Sequence, residues 1–494
     1  MADTIKKVGY ATYPSVKLQA METDPKTGKT KFTFIKELLF GDFMSPQIEN
    51  GEYVTALVGS GKKKVEYIKV HCRNADGWIK RSEMQFERPL EVNFIDVGQG
   101  DGCHIVTPDD KHFLIDAGKS DNMYRFLKWR FNLRSAKNVA PPFTVVISHS
   151  DTDHYLGFST IFAKSKEKEP QIKIKKVYHN GMIEGAGASL GTDIKYNGKK
   201  YVTDLCDTDA DYQERIKNVK AGTYINMLKK VDAPKEALRK GSDPIYDKNG
   251  VKMEIMGPVA EEIDGKAALP DFGDSGKTKN GHSVVVKLTI GHLRLLAGGD
   301  LNTESEYHLI KAYSGIDIAA LKKELEGKLS DEDRKKKEAE IEAAVLAARE
   351  SLGVDIAKSC HHGSADFSSE FLQVLNPIAT IISSGDEEPH CHPRPDTLGT
   401  IGKYSRGKRS LIFSTELARS GKEFLELKDL DLSAQKKKER VVTVYGMINV
   451  RTDGEKVIIA QKLESAAKGR NWDIHKMEWN EKIGQFEYIS DKES

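Results

Sequence analysis

Six short apolar runs in this chain each end in a residue able to bind a metal ion or move a proton. They are Phe94-Ile95-Asp96, Leu114-Ile115-Asp116, Val145-Val146-Ile147-Ser148-His149, Lys176-Val177-Tyr178-His179, the run from Leu295 to Asp300, and the run from Ile356 to the pair His361-His362. Continuous apolar stretches of this length suit strands that are covered on both faces. In layered α/β folds the loops converge beyond the carboxyl ends of the strands, so ligands collect at that edge. One such ending is noise. Six of them constrain the chain to an architecture that brings them to one edge.

Helical periodicity lies between these strands, around Met123 to Phe131 and Ser369 to Leu375, which predicts mixed sheets with helices outside. Residues 1–88 are different, with short alternating runs broken by Gly and Lys turns, and predict a small antiparallel β domain. Within it, Val65 to Met84 is similar to the closing strands of bacterial barrels of the Src-homology-3 type. From residue 90 to about 450 the strand-and-helix pattern reads as one α/β domain, and 451–494 as C-terminal strands or an extension. Residues 304–352 interrupt the α/β domain: Ile318, Leu321 and Leu325 keep helical spacing, as do Ile341, Val345, Ala348 and Leu352. Ser330 with Asp333 offers a cap between them, so an inserted helical hairpin is expected, with the basic run Arg334 to Lys337 on a solvated face. Residues 181–280 are polar, Gly-rich and without clear period, and read as long loops.

A chain of 494 residues has room for two to four compact units and a buried active site. Apolar residues are 38% and charged residues 30%, with a net charge of +2, so the overall field neither recruits nor repels nucleic acid. No window approaches 18 uninterrupted apolar residues and the first residues lack the apolar segment of a secretory signal, so a cytoplasmic protein with no membrane association is expected. The five cysteines are widely spaced without a CxxC pair, which indicates neither a disulfide framework nor a cysteine zinc knuckle.

Five motifs, in order along the chain, carry the chemistry: Asp96-Val97-Gly98-Gln99-Gly100-Asp101, Ser148-His149-Ser150-Asp151-Thr152-Asp153-His154, Ala297-Gly298-Gly299-Asp300-Leu301, His361-His362-Gly363-Ser364, and His392-Pro393. Together they resemble the motifs of metallo-β-lactamase-fold hydrolases, and within these the competence-type branch represented by the soluble domain of the DNA-uptake protein ComEC. The resemblance spans roughly residues 90 to 450. It implies an αββα sandwich of two mixed β-sheets with two divalent metal ions at one edge.

Carried over by position, the resemblance makes His149 and Asp151 ligands of the first ion, with His179 at a place where many members supply another histidine. Asp153 and His154 would hold the second ion, and Asp300 would bridge the two. The remaining histidine comes from the His361-His362 pair or from His392; the motif favours His361, and adjacent histidines both reach one site only where the backbone turns sharply. Asp96 and Asp101 would orient ligand histidines, as metal sites generally require. Asp116 ends a strand as Asp96 does and reads as structural. Most members carry histidine where this chain has Asp151. A carboxylate there makes the pocket harder, which puts manganese beside zinc as the expected metal.

A pair of divalent ions lowers the pKa of a shared water and clamps both oxygens of an in-line displacement. The expected function is a metal-dependent phosphodiesterase or nuclease, with Asp153 orienting the attacking oxygen and His362 or His392 protonating the leaving group. One alternative is a small-molecule hydrolase of amides, esters or thioesters on the same site. Another is a non-catalytic metal-binding module that meets a protein partner through the N-terminal domain or the helical insertion. Basic stretches at Lys164 to Lys176 and at Lys403, Arg406, Lys408 and Arg409 offer a track for a nucleic acid or other phosphodiester substrate. Oligomeric state leaves no mark in the sequence.

Overall fold

The computed structural model describes residues 5–133, 138–163, 172–385, 390–416, 421–424, 441–444, 447–467 and 469–490. The chain forms two compact units, one of Met1–Asn93, Ile105–Asp110 and Ala418–Ser494, the other of Phe94–His104 and Lys111–Leu417. Residues 164–171 of the first basic stretch lie outside the described residues. Among the described residues no helix is long and apolar enough to cross a membrane.

The first unit is built from antiparallel strands. Ser15–Thr23 and Thr30–Leu39 form a hairpin across a turn in which Asp24 Oδ1 accepts the backbone N–H groups of Lys26 and Thr27 at 2.7 and 3.2 Å. Val65–Cys72 pairs with Ala75–Lys80. Val16, Leu18, Leu38, Ile68, Val70 and Ile79 point to one side and make the core, as period-two alternation dictates. The C-terminal strands Met447–Thr452, Lys456–Ala467, Arg470–Asn480 and Gln485–Ile489 belong to this same unit, paired in sequence. Arg451 is buried against Phe40 O at 2.9 Å, Asp42 Oδ1 at 3.0 Å and Glu91 Oε1 at 3.6 Å. Glu37 Oε2 accepts the N–H groups of Asn471 and Trp472. The sequence divides these strands between an N-terminal domain and a C-terminal extension. Their union rests on buried polar pairs more than four hundred residues apart, which local patterning does not reveal.

The second unit contains two sheets that set the site. In one, His112–Ala117, Phe143–Val146, Ile174–His179 and Lys235–Ala237 run parallel, with Ile115 opposite Val146 and Val146 opposite Tyr178. Their centres are apolar on both faces, since Leu114, Ile115, Val145 and Val146 are all buried. In the other, Tyr246–Lys248, Val251–Gly257, Val285–Ile290 and Leu293–Ala297 are antiparallel, and Ile356–Lys358, Ala379–Ile382 and Leu411–Ser414 continue in parallel. The unit is therefore α/β with mixed sheets. Because paired parallel strands end together, Asp116, His149 and His179 leave one sheet at the same edge, and Asp300 and the His361-His362 pair leave the other similarly.

Helices cover this framework. Thr303–Ser314 starts at Asn302, whose side chain accepts the Ser305 N–H. Ile318–Leu325 and Asp331–Leu352 follow, and the Ser330 hydroxyl accepts the Asp333 N–H at 3.1 Å. Val345, Ala348 and Leu352 pack with Leu309, Phe371 and Val374, so the long helix contributes to the core of this unit. The aperiodic region 181–280 folds into short elements, including a four-stranded antiparallel sheet of Thr192–Tyr196, Lys199–Thr203, Lys266–Pro270 and Glu261–Ile263.

Candidate metal centre

The segment Ser148 to His154 leaves the strand Phe143–Val146 and turns into a short helix, Thr152–Tyr155. Two glycines let it approach its neighbours. A Cβ on Gly100, which has φ +99°, would stand 1.6 Å from Asp153 O, and one on Gly157 would stand 2.1 Å from Ala117 O. Neither position tolerates a side chain. The loop is thereby pressed against the strand ends that carry Asp101 and Asp116.

Asp116 anchors the arrangement. Its Oδ1 accepts the Ser148 backbone N–H at 2.8 Å and its Oδ2 accepts the Ser148 hydroxyl at 2.6 Å. Oδ2 also lies 2.9 Å from His154 Nδ1. A carboxylate only accepts, so Nδ1 of a neutral His154 carries its hydrogen and the lone pair sits on Nε2. The same logic fixes His362, whose Nδ1 faces Ser383 O at 3.0 Å and Asp101 Oδ1 at 3.2 Å.

The two Nε2 atoms then converge. They lie 3.3 Å from each other, and each lies 3.2 Å from Asp300 Oδ2. Asp153 Oδ2 is 3.5 Å from His362 Nε2. Atoms with lone pairs at such separations repel one another unless a proton on a ring nitrogen or a metal cation lies between them. An ion bound tetrahedrally at about 2.0 to 2.1 Å has ligand atoms roughly 3.3 to 3.4 Å apart, so His154, His362 and Asp300 fit a divalent metal, and Asp153 adjoins them through His362. Ligand atoms of Asp101, His154, Asp300 and His362 all lie within 4.8 Å of one another. Asp101, however, touches Nδ1 of His362 and the ammonium of Lys358, so it orients the cluster from behind.

The electrostatics agree. Burial opposes charge on both rings, yet Asp300 with Asp116 holds His154, and Asp300 with Asp101 holds His362, well above the usual imidazole value. Burial likewise opposes ionisation of Asp300, but the two histidines hold it well below the carboxylate range. Asp153 is lowered against burial by its bond to His362. The pocket draws positive charge, as protons on the rings or as a metal ion in their place.

The expected residues distribute unevenly around this centre. His361 and His362 both have left-handed backbones, φ 48° and 53°, which supplies the sharp turn that adjacent histidines need. Such conformations cost about 1 to 3 kcal/mol each in non-glycine residues. His362 is the one placed at 3.2 Å from Asp300 Oδ2, whereas His361 Nε2 stands at 4.0 Å. His392 stacks edge-on to His361, with ring centroids 5.8 Å apart. His149 lies beside His154, ring centroids 4.2 Å apart, and its Nε2 is 3.7 Å from Asp151 Oδ2. Asp151 is lowered to about 2, since His149 and Lys279 outweigh its burial. His179 is buried and accepts the Gly181 N–H on Nδ1, and burial with Arg239 and Lys235 nearby lowers it to about 3. Asp96 Oδ1 accepts the Gly98 N–H at 2.9 Å and shapes the loop that carries Gly100 and Asp101.

Three further residues belong to the site. Asp116 orients His154; Lys358, buried, joins Asp101 and donates to Gly299 O at 2.9 Å; and Lys279 meets Asp151 Oδ1 at 2.7 Å. The strand-end position of Asp116 is a signal available in the sequence. The two lysines carry none, because a lysine in isolation reads as surface.

No family model and no curated relative matches the chain. Among solved structures it is similar to Tm1679, a metal-dependent hydrolase of the β-lactamase superfamily, at 14% identity and a TM-score of 0.31, over 66% of this chain and 96% of that one. It is similar also to Zn2+-bound PqqB from Methylobacterium extorquens, at 7% identity and a TM-score of 0.29, over 66% of this chain and 97% of that one.

Proposed function

We propose that the chain is a metal-dependent hydrolase of phosphodiesters, most simply a nuclease. The observation that carries this reading is the convergence of His154 Nε2, His362 Nε2 and Asp300 Oδ2, with Asp153 Oδ2 3.5 Å from His362 Nε2, in a site where Lys279 meets Asp151 and His392 stacks edge-on to His361. His154, His362 and Asp300, with Asp153 beside them, would hold a divalent ion, which when bound would supply Lewis-acid activation of a phosphoryl oxygen and of water. Asp153, held ionised beside His362, would orient the attacking water, whose proton leaves to solvent. His362 has Nδ1 committed to Ser383 O and its lone pair directed into the cluster, so the proton for the departing alkoxide falls to His392. Lys279 offers an ammonium to a non-bridging phosphate oxygen, a contact that a neutral lactam or thioester would not use. Beyond the site, Lys403, Lys408 and Arg409 are exposed, while Arg406 is engaged with the buried Asp355.

The test is hydrolysis of single- and double-stranded DNA, RNA and a generic aryl phosphodiester with manganese, magnesium or zinc. Metal-dependent cleavage that disappears in Asp153→Ala is expected. Turnover of a lactam or thioester with every phosphodiester left intact would overturn the assignment.

A further inference from the structure

The His149 side of the centre differs from the His154 side in one respect: its acceptors already have donors. Lys279 Nζ lies 2.7 Å from Asp151 Oδ1 and 3.5 Å from Glu184 Oε2. In the orientation that satisfies both ends of its amide, Asn280 donates to Asp151 Oδ2 at 2.7 Å and to His149 Nε2 at 3.3 Å. Both oxygens of Asp151 are thereby filled by groups of one short helix, Ser275–Gly281.

The tautomer of His149 follows from its neighbours. Its Nδ1 faces Ser148 Oγ at 3.0 Å and Ser283 Oγ at 3.2 Å. The Ser148 hydroxyl gives its hydrogen to Asp116 Oδ2 and the Ser283 hydroxyl gives its own to Asn280 O. Both oxygens therefore accept from His149, Nδ1 carries the hydrogen, and the Nε2 lone pair is the one that Asn280 meets. His179 has the opposite tautomer. Its Nδ1 accepts the Gly181 N–H, so a neutral ring keeps its hydrogen on Nε2, which is buried and without a hydrogen-bond partner. A ring nitrogen that bears hydrogen has no lone pair to give a metal.

The three groups that a first ion would need are thus all committed to other side chains or the backbone, whereas His154 Nε2, His362 Nε2 and Asp300 Oδ2 face one another at 3.2 to 3.3 Å with Asp153 beside them. We propose that this is a one-metal centre in which the Lys279 ammonium, held by Asp151, stands in for the second cation. The proposal rests on the metal-dependent reading above and narrows it: one ion and one fixed ammonium flank the phosphate. An ammonium is a point charge with three donors and suits a phosphate oxygen. It cannot lower the pKa of a water as an ion does, so water activation belongs to the His154 side alone.

The experiment counts ions. Purified full-length protein is stripped with chelator, titrated calorimetrically with Mn2+ and separately with Zn2+, and the bound metal is confirmed by elemental analysis. One ion per chain is expected for the wild type. Lys279→Ala frees Asp151 Oδ1 and leaves Asn280 able to turn its amide oxygen toward an ion beside His149 and Asp151, so it is expected to take up a second ion in a separate, weaker phase, and His154→Ala to lose the tight one. Lys279→Met keeps the aliphatic stem and removes only the charge. It repeats the measurement should the alanine variant fold poorly by circular dichroism. Two ions per wild-type chain overturn the proposal, as does a count of one that persists in both Lys279 variants. No ion on folded wild-type protein overturns instead the metal-dependent reading on which it rests.

Discussion

His154 and His362 present their Nε2 atoms to each other at 3.3 Å while an acceptor holds Nδ1 of each, Asp116 Oδ2 at 2.9 Å and Ser383 O at 3.0 Å. Either a proton on a ring or a bound cation relieves the repulsion of opposed lone pairs, and an ion that binds only the folded cluster stabilises the fold. An ion at 100 times its dissociation constant adds about 2.7 kcal/mol to stability. Manganese or zinc is therefore expected to raise the thermal midpoint of chelated protein by several degrees, and His362→Ala to abolish that rise. A midpoint indifferent to all divalent ions in calorimetry would remove the cluster from consideration as a metal site.

Asp116→Asn is expected to cost metal affinity without emptying the fold. The Ser148 backbone N–H cannot rotate away, so the single oxygen of asparagine is drawn to it and the amide NH2 is left facing His154 Nδ1. Two donors then oppose each other unless the His154 hydrogen moves to Nε2, where it blocks the ligand position. Loss of an orienting partner typically lowers affinity roughly 10- to 100-fold. Competition with a fluorescent chelator reads this directly. An unchanged affinity would show that Asp116 is structural only.

How far these residues could be read from the sequence depended on distance and on backbone conformation. Asp153, His154 and Asp300 were legible because each follows an apolar strand, and paired strands must end together. Asp116 was weighed as structural because its partner His154 lies 38 positions away, and only the folded register joins them. The choice between His361 and His362 turned on two left-handed residues in succession, which no propensity anticipates. Lys358 is hidden for a different reason, since a buried lysine exists only where carboxylates such as Asp101 surround it. In the other unit, Glu37 and Asn471 lie 434 positions apart, so strands that looked like two separate segments share one fold.

Glu306 gives the molecule a pH-dependent stability. It is buried and lines an apolar cavity with Phe371, Leu375 and Ile401. Burial, reinforced by Asp366 and Glu370 and opposed by the Ser368 N–H, raises its carboxyl from 4.5 to about 8. The folded state therefore holds a proton that the unfolded chain releases across this window. Its contribution is complete below 4.5 and is lost as pH rises to about 8. Glu306→Gln, which keeps the shape and cannot ionise, is expected to match the wild type at about pH 4, below the unfolded value of 4.5. Near pH 8 it should exceed it by on the order of a few kcal/mol. Urea unfolding of both proteins at the two pH values measures the difference, and a gap that does not change with pH would refute the assignment.

Gly100→Ala separates the loop from the ligands it positions. Gly100 has φ +99° and a Cβ there would come within 1.6 Å of Asp153 O, so the backbone of one or the other segment has to move. Two penalties add, a strained conformation for alanine and the displacement of a packed loop, and together they are expected to cost about 3 kcal/mol or more. The movement is not neutral for the site, because Asp153 and His154 sit on the displaced segment while His362 and Asp300 come from the opposite sheet. Unfolding in denaturant should show the destabilisation, and calorimetric titration should show weaker metal binding even at temperatures where the variant is fully folded. A variant that loses stability but binds the ion with wild-type affinity would mean that Asp153 and His154 are positioned by Asp116 and the strand ends alone.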